Sequence, residues 1–165
     1  MGFDAFIKIK DCPGESSDDK HKEWIEVQNF TEGVTQPHGG QMSATGAIAG
    51  GRADFQDLSF RKLMDKSSTK LRFLCAKGEH IPEINIELCL ATGDKAKYMD
   101  YKFTACFVTA VTCVGDAKAT SEGRPLEQIT IRFGKVEWTY IHLAKDGKKL
   151  GEAKNMWSVV ENKGG

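Results

Sequence analysis

Asp18, Asp19, His21 and Glu23 crowd into one short stretch, "DDKHKEW". An imidazole beside carboxylates is a common arrangement for general acid–base work, and His21 and Glu23 share a face if the chain is extended there. No nucleophile stands beside them in the sequence. A solvated, charged strand edge of the kind that discourages sheet-to-sheet pairing accounts for the same residues more simply.

Zinc needs converging soft ligands, and the one close Cys/His pair is Cys75 with His80, separated by Gly78, at a spacing that fits no known finger. The five cysteines, Cys12, Cys75, Cys89, Cys106 and Cys113, include no C-x-x-C pair. Cys106 and Cys113 differ by an odd number and would point to opposite faces of an unbroken strand. They read as reduced, buried thiols with no disulfide and no metal. Trp24, Trp138, Tyr140 and Trp157 read as packing residues and not as a ligand cage.

The segment "HGGQMSATGAIAGGR", residues 38–52, holds five glycines in fifteen positions. Gly40 to Gly46 nearly has the spacing of a phosphate loop, but Ala47 follows where Lys-Ser/Thr is needed, and a strand follows where a helix N-terminus is needed. A nucleotide site is therefore disfavoured, and the stretch reads as a long connection that is either functional or without fixed structure.

Lys+Arg and Asp+Glu both number 23 in the 165 residues, so no basic field concentrates nucleic acid or anionic lipid. The N-terminus "MGFDAFIKIK" starts as a strand and lacks the basic and apolar regions of a signal peptide; no apolar run approaches a membrane span. The expectation is a chain folded in the cytoplasm, without membrane insertion and without a cofactor. At this length a single domain over 1–165 can bury roughly two-thirds of its unfolded surface.

Period-two patterning dominates the elements that must position these residues. It places Phe3, Ala5, Ile7 and Ile9 on one face of a first strand, Ile25 and Val27 in a second, and Ile84, Ile86, Leu88 and Leu90 on one face of another. "KYMDYKFTACFVTAVTCV" alternates through Tyr101, Phe103, Ala105 and Phe107, and "LEQITIRFGKVEWTYIHL" through Ile129, Ile131 and Phe133, with a bend at Gly134. Pro13-Gly14 marks one turn and Asp146-Gly147 a hairpin. One helix is predicted in "SSTKLRFLCAKGEH", capped by Ser67 or Ser68, burying Leu71, Leu74 and Cys75, and stopping at Gly78. Roughly eight or nine strands with one helix predict two packed sheets or a barrel.

The segments "DAFIKI", "PGES", "DKHKEWIEV", "GRADFQDLSF", "LCAKGEHI", "INIELC", "GDKAKYMDYK" and "GKVEWTY", in that order, closely resemble the haemolysin-coregulated protein (Hcp) family of type VI secretion systems, from residue 3 to about residue 160. The resemblance implies a mainly β fold: a small barrel of two packed antiparallel sheets with one flanking helix, assembling as a hexameric ring. It implies that rings stack into an ejected tube, that the partners are sheath, spike and baseplate proteins, and that small effector proteins ride in the lumen. It implies no active site, and secretion by the type VI apparatus. No C-terminal effector extension is expected beyond the barrel. The 38–52 loop, with Gly39, Gly40, Met42, Gly46, Ile48, Gly50 and Gly51, is the expected ring-stacking element, and Asn29 and Thr31 the expected lumen contacts. The alternative is a generic β-barrel binding module without a secretion role.

Overall fold

One long strand divides its sheet membership and so builds the architecture. A computed structural model describes residues 2–37, 51–115, 117–118 and 123–165. In chain order the elements are β1 (Phe3–Ile9), β2 (Ile25–Val27), β3 (Asn29–Thr31), β4 (Val34–Thr35), β5 (Asp54–Phe55), β6 (Leu58–Leu63), α1 (Ser67–Lys77), β7 (Ile81–Leu90), β8 (Lys97–Val114), β9 (Leu126–Arg132), β10 (Lys135–Leu143), β11 (Lys149–Ser158) and β12 (Lys163–Gly164). One antiparallel sheet runs β12-β11-β10-β8-β7-β1-β2; a second runs β3-β6-β9-β8. Among the described residues the architecture is mainly β, in two main sheets with one helix, as expected.

β8 belongs to both sheets. Its first half lies between β7 and β10, and its second half pairs with β9. The change falls at Ala105, which has φ 55 and is solvent-exposed, while Gly134 N–H lies 3.0 Å from Thr104 O and 3.1 Å from Ala105 O. An inserted residue of this kind bends a strand and resets its parity. The expected alternation therefore holds for Tyr101 and Phe103 and then fails: Cys106 and Val108 are buried, and Ala105 and Phe107 are not. A second irregularity lies between Val108 and Ala110. Beyond it Cys113 opposes Glu127, on the face that Ile129 and Ile131 turn to the core. Cys106 and Cys113 thus share a face, contrary to the parity argument. They remain unbridged because seven residues of strand put them about 23 Å apart.

Three smaller expectations are also corrected. Phe3 is 49% exposed at the sheet end, its ring meeting Phe30 edge-on at 6.3 Å. Leu90 is 40% exposed because it lies opposite Phe3 at the same sheet end, and Cys89 is buried on the other face beside His21. The run after His21 is two strands, β2 pairing with β1 and β3 with β6.

Gly14 is needed for close approach. A Cβ there would stand 2.4 Å from Trp24 O and 2.7 Å from Ile25 Cα, both backbone atoms that cannot step aside. Its N–H donates to Glu23 O at 2.7 Å, and Ser16 N–H to Trp24 O at 3.1 Å, so this turn clamps the segment that carries His21.

Helix α1 begins one residue after Lys66, which makes no side-chain cap, so neither Ser67 nor Ser68 is the N-cap. Asp65 caps from outside, its Oδ1 accepting from Ser67 N–H at 2.9 Å. Ser68 is drawn into a buried charge network instead. Lys62 has the parity of Leu58 and Phe60, and Glu127 that of Ile129 and Ile131, so both charges point inward. Lys62 Nζ donates to Glu127 Oε1 at 2.9 Å, Asp65 Oδ1 at 2.8 Å and Ser68 Oγ at 3.1 Å, and Ser68 Oγ donates to Glu127. Arg72 Nη1 stands 2.5 Å from Glu127 Oε2 as a charge contact without directed hydrogen-bond geometry, its N–H donating to Ser68 O at 3.0 Å. The helix is pinned by this network and by Leu71 and Leu74, and Gly78 at φ 65 ends it.

Among the described residues no helix is long and apolar enough to cross a membrane.

Candidate functional site

Two surfaces carry the residues singled out in the sequence. The first is the outer face of the sheet β3-β6-β9-β8. Alternation turns Phe30, Phe60, Ile129 and Val111 towards the core and leaves the residues between them outside. Asn29, Arg61, Gln128 and Thr112 line up in one row across four strands, and Thr31, Ser59, Thr130 and Ala110 in the next. Asn29 and Thr31 are exposed. Gln128 Nε2 donates to Ser59 Oγ at 3.1 Å, and Thr109 Oγ1 to Thr130 O at 3.1 Å. These two rows are polar and offer many hydrogen bonds, while the row beyond Asn29, Arg61, Gln128 and Thr112 on the same face is apolar: Leu63, Leu126 and Val114, of which Val114 is 75% exposed. Arg61, Gln128 and Thr112 escaped the sequence reading, although their parity with Asn29 becomes evident once the strand pairing is known.

At one end of the molecule β4 and β5 form a two-stranded ladder, Val34 opposite Phe55 and Thr35 opposite Asp54. This ladder closes the two ends of the glycine-rich segment. Gly51 N–H donates to Pro37 O at 3.0 Å, Gly51 O accepts from Gln36 Nε2, and Arg52 Nη2 donates to Val159 O at 2.7 Å. Gly39, Gly40, Met42, Gly46, Ile48 and Gly50 lie outside the described residues.

The second surface corrects the reading of His21 as part of a solvated edge. His21 is 2% exposed, stacked on Phe6 at 4.1 Å and 4°, with Trp24 edge-on at 4.9 Å. Its Nδ1 lies 3.0 Å from Asp18 Oδ2 and its Nε2 2.7 Å from Glu87 Oε2. The carboxylate–imidazole arrangement therefore exists, but its partners are Asp18 and Glu87, and Glu23 is exposed at φ 65. Hydrogen bonding to His21 holds the Asp18 carboxyl below its ordinary range. Glu87 could not have been found from sequence spacing, since it arrives from a strand 66 residues away. Cys75 and His80 are not brought together as metal ligands: Cys75 packs against the core, while His80 is exposed with its ring 6.3 Å from that of Phe107.

A family model described as type VI secretion system effector, Hcp, matches residues 6–140. The chain belongs to the Hcp family. Protein hcp1 of Pseudomonas aeruginosa is 34% identical over 164 residues, covering 98% of each chain. A solved type six secretion system protein superposes with a TM-score of 0.91 at 34% identity, covering 99% of this chain and 100% of the other. The crystal structure of Hcp1 from Salmonella typhimurium gives 0.79 at 27% identity, covering 99% of both. The chain is thus a type VI secretion system tube/effector protein.

In this Hcp chain the five cysteines are free. Burial pushes the thiols of Cys12 and Cys89 up to about 11 and that of Cys106 up to about 12, far from the thiolate needed for alkylation. Mass spectrometry after iodoacetamide treatment of the native protein near neutral pH should find Cys113, which is exposed, labelled well before these three. Rapid labelling of Cys106 in folded protein would contradict the packing at the β8 bend.

Proposed function

We propose that the chain is a non-enzymatic structural protein whose single domain forms hexameric rings, that these rings stack into the ejected tube of a type VI apparatus, and that small effector proteins travel in the lumen. The observation that carries this reading is the polar face of β3-β6-β9-β8. Its two central rows are Asn, Thr, Ser and Gln side chains with Ala110 and a single charged member, Arg61. Such a face suits transient contact with varied cargo, because its polar rows supply exchangeable hydrogen bonds and the neighbouring row of Leu63, Leu126 and Val114 is a narrow apolar strip. The nearly balanced charge of the chain favours self-association. Secretion then follows from being part of the tube, with sheath, spike and baseplate proteins as partners.

Ring formation is tested by light scattering and negative-stain images, which should show six-membered rings; a persistent monomer would overturn the proposal. The lumen assignment is tested at Thr31, whose neighbours across the strands are Ser59 and Thr130. Thr31→Gln projects a longer side chain from an exposed position and should leave the ring intact while weakening capture of a co-expressed effector about tenfold, a change of about 1.4 kcal/mol. Equal capture would place the lumen on another face.

Stacking is assigned to the 38–52 loop, where Met42 and Ile48 are the sizeable apolar groups. Burying one such side chain is worth roughly 1.5–3 kcal/mol before the loop is ordered. Each contact is weak alone, and repetition around a ring strengthens the junction. Changing Met42 and Ile48 together to Asp should abolish tubes in sedimentation and electron microscopy while single rings persist. Normal tubes would remove the loop from the stacking contact, and monomers would mean that it builds the ring instead.

A further inference from the structure

The buried imidazole lies in a cluster whose chemistry goes beyond a structural ion pair. On the outer face of β1, β7 and β8, Cys89 is fully buried and its Sγ lies 3.9 Å from His21 Nε2. One ligand atom each from His21, Glu87 and Cys89 lies within 4.8 Å of the other two. Nitrogen, oxygen and sulfur ligands of a zinc-type ion sit about 2.0–2.3 Å from the metal and so roughly 3.5 Å from one another. Side-chain adjustments of about an ångström are enough to reach that geometry.

The surroundings favour a cation. Glu87 and Asp100 are directly opposed across β7 and β8, and like charges so placed repel. Lys97 answers both, at 3.2 Å and 3.4 Å, yet Asp100 Oδ1 is buried with no hydrogen-bond partner. Asp4 and Asp18 add two further carboxylates, answered on this side by Lys95. His21 is also already oriented as a ligand, because its Nδ1 meets Asp18 and leaves Nε2 aimed at Glu87 and Cys89. A carboxylate holding the far nitrogen of a ligating histidine fixes both tautomer and ring angle. Phe6 and Trp24 wall the imidazole from water.

We propose that His21 Nε2, Glu87 and Cys89 Sγ form a three-ligand site for a divalent transition ion of the zinc class, with Asp18 as the positioning residue behind the histidine. Binding releases the proton on His21 Nε2 and the thiol proton of Cys89 to solvent. The ion then bridges the turn that carries His21 to β7, with one coordination position left for water on the partly exposed Glu87 side. The site is a clamp between the segment entering β2 and the sheet.

The test uses untagged, full-length protein titrated with Co²⁺ and then Zn²⁺. The expected result is one Co²⁺ per chain, with the near-ultraviolet charge-transfer band of a cobalt–thiolate bond, displaced by Zn²⁺, and a higher unfolding temperature in zinc than in chelator. Cys89→Ser removes the thiolate band, whereas Cys113→Ser keeps it. Asp18→Asn retains the band but weakens affinity about 10–100-fold. Should Cys89→Ser fail to fold, Glu87→Gln, at a partly exposed side chain, is expected to weaken Co²⁺ binding at least tenfold. Absence of a thiolate band in the parent protein, its persistence in Cys89→Ser, or Co²⁺ affinity unchanged in Glu87→Gln each overturns the proposal.

Discussion

Replacing Glu127 by alanine should lower stability by about 3–5 kcal/mol, because it strands the Lys62 ammonium, which is wholly buried, with one fewer anion. The loss is of this size because the partner that remains is a charge and not because the ion pair is intrinsically strong. Changing Lys62→Met and Glu127→Leu together removes both fully buried charges and should recover part of the loss, because Asp65 then loses Lys62 but keeps its bond from Ser67 N–H. The measurement is urea unfolding of each variant at one fixed protomer concentration, since ring formation would otherwise shift the midpoint. A single-variant loss below about 1 kcal/mol would mean that water reaches Lys62. The same carboxylate makes the fold acid-sensitive. Burial alone raises its pKa, but hydrogen bonds from Ser68 and Lys62 and the Lys62 charge outweigh burial and hold it below its ordinary 4.5. A carboxyl depressed in the folded state contributes stability above its unfolded value, and that contribution is lost as pH falls through the folded value. The parent should therefore weaken progressively below pH 4.5, and the Lys62/Glu127 double variant should show a shallower acid slope.

Phe103→Ala should cost a further about 3–5 kcal/mol, the usual range for deleting a fully buried aromatic side chain. Phe103 is completely buried where the two sheets part, its ring 4.7 Å from Phe133 and parallel to Tyr101 at 6.0 Å. Phe133 precedes the Gly134 bend, and Ala105 bends β8 two residues beyond Phe103. The cavity thus opens beneath the joint that lets one strand serve both sheets, where the backbone is least free to collapse. Phe103→Leu keeps most of the volume and should cost about 1.5 kcal/mol or less. If alanine and leucine cost the same, the surroundings have closed on the site and the joint is softer than its packing implies.

Fold class and family were legible in the sequence because both rest on features that each segment carries alone. Alternation in β1, β7 and β9 comes from the two-residue period of the backbone, Gly78 stops α1 by its own left-handed conformation, and Asp146-Gly147 turns the hairpin without help from distant residues. The exposed placement of Asn29 and Thr31 was legible for the same reason. Lys62 and Glu127 carried a signal too, since each interrupts an inward apolar row, but parity alone does not say that two such interruptions meet across β6 and β9. Only the tertiary structure decided the rest. Ala105 leaves the alternation because Gly134 donates to it from the neighbouring chain segment, and that non-local bond outweighs the pattern of the strand. His21 sits among Asp, Lys and Glu and reads locally as wet; Phe6 stacked on it and Glu87 and Cys89 beside it make it a buried imidazole. Burial and electrostatic environment are properties of neighbours in space, and here those neighbours lie up to 68 residues away along the chain.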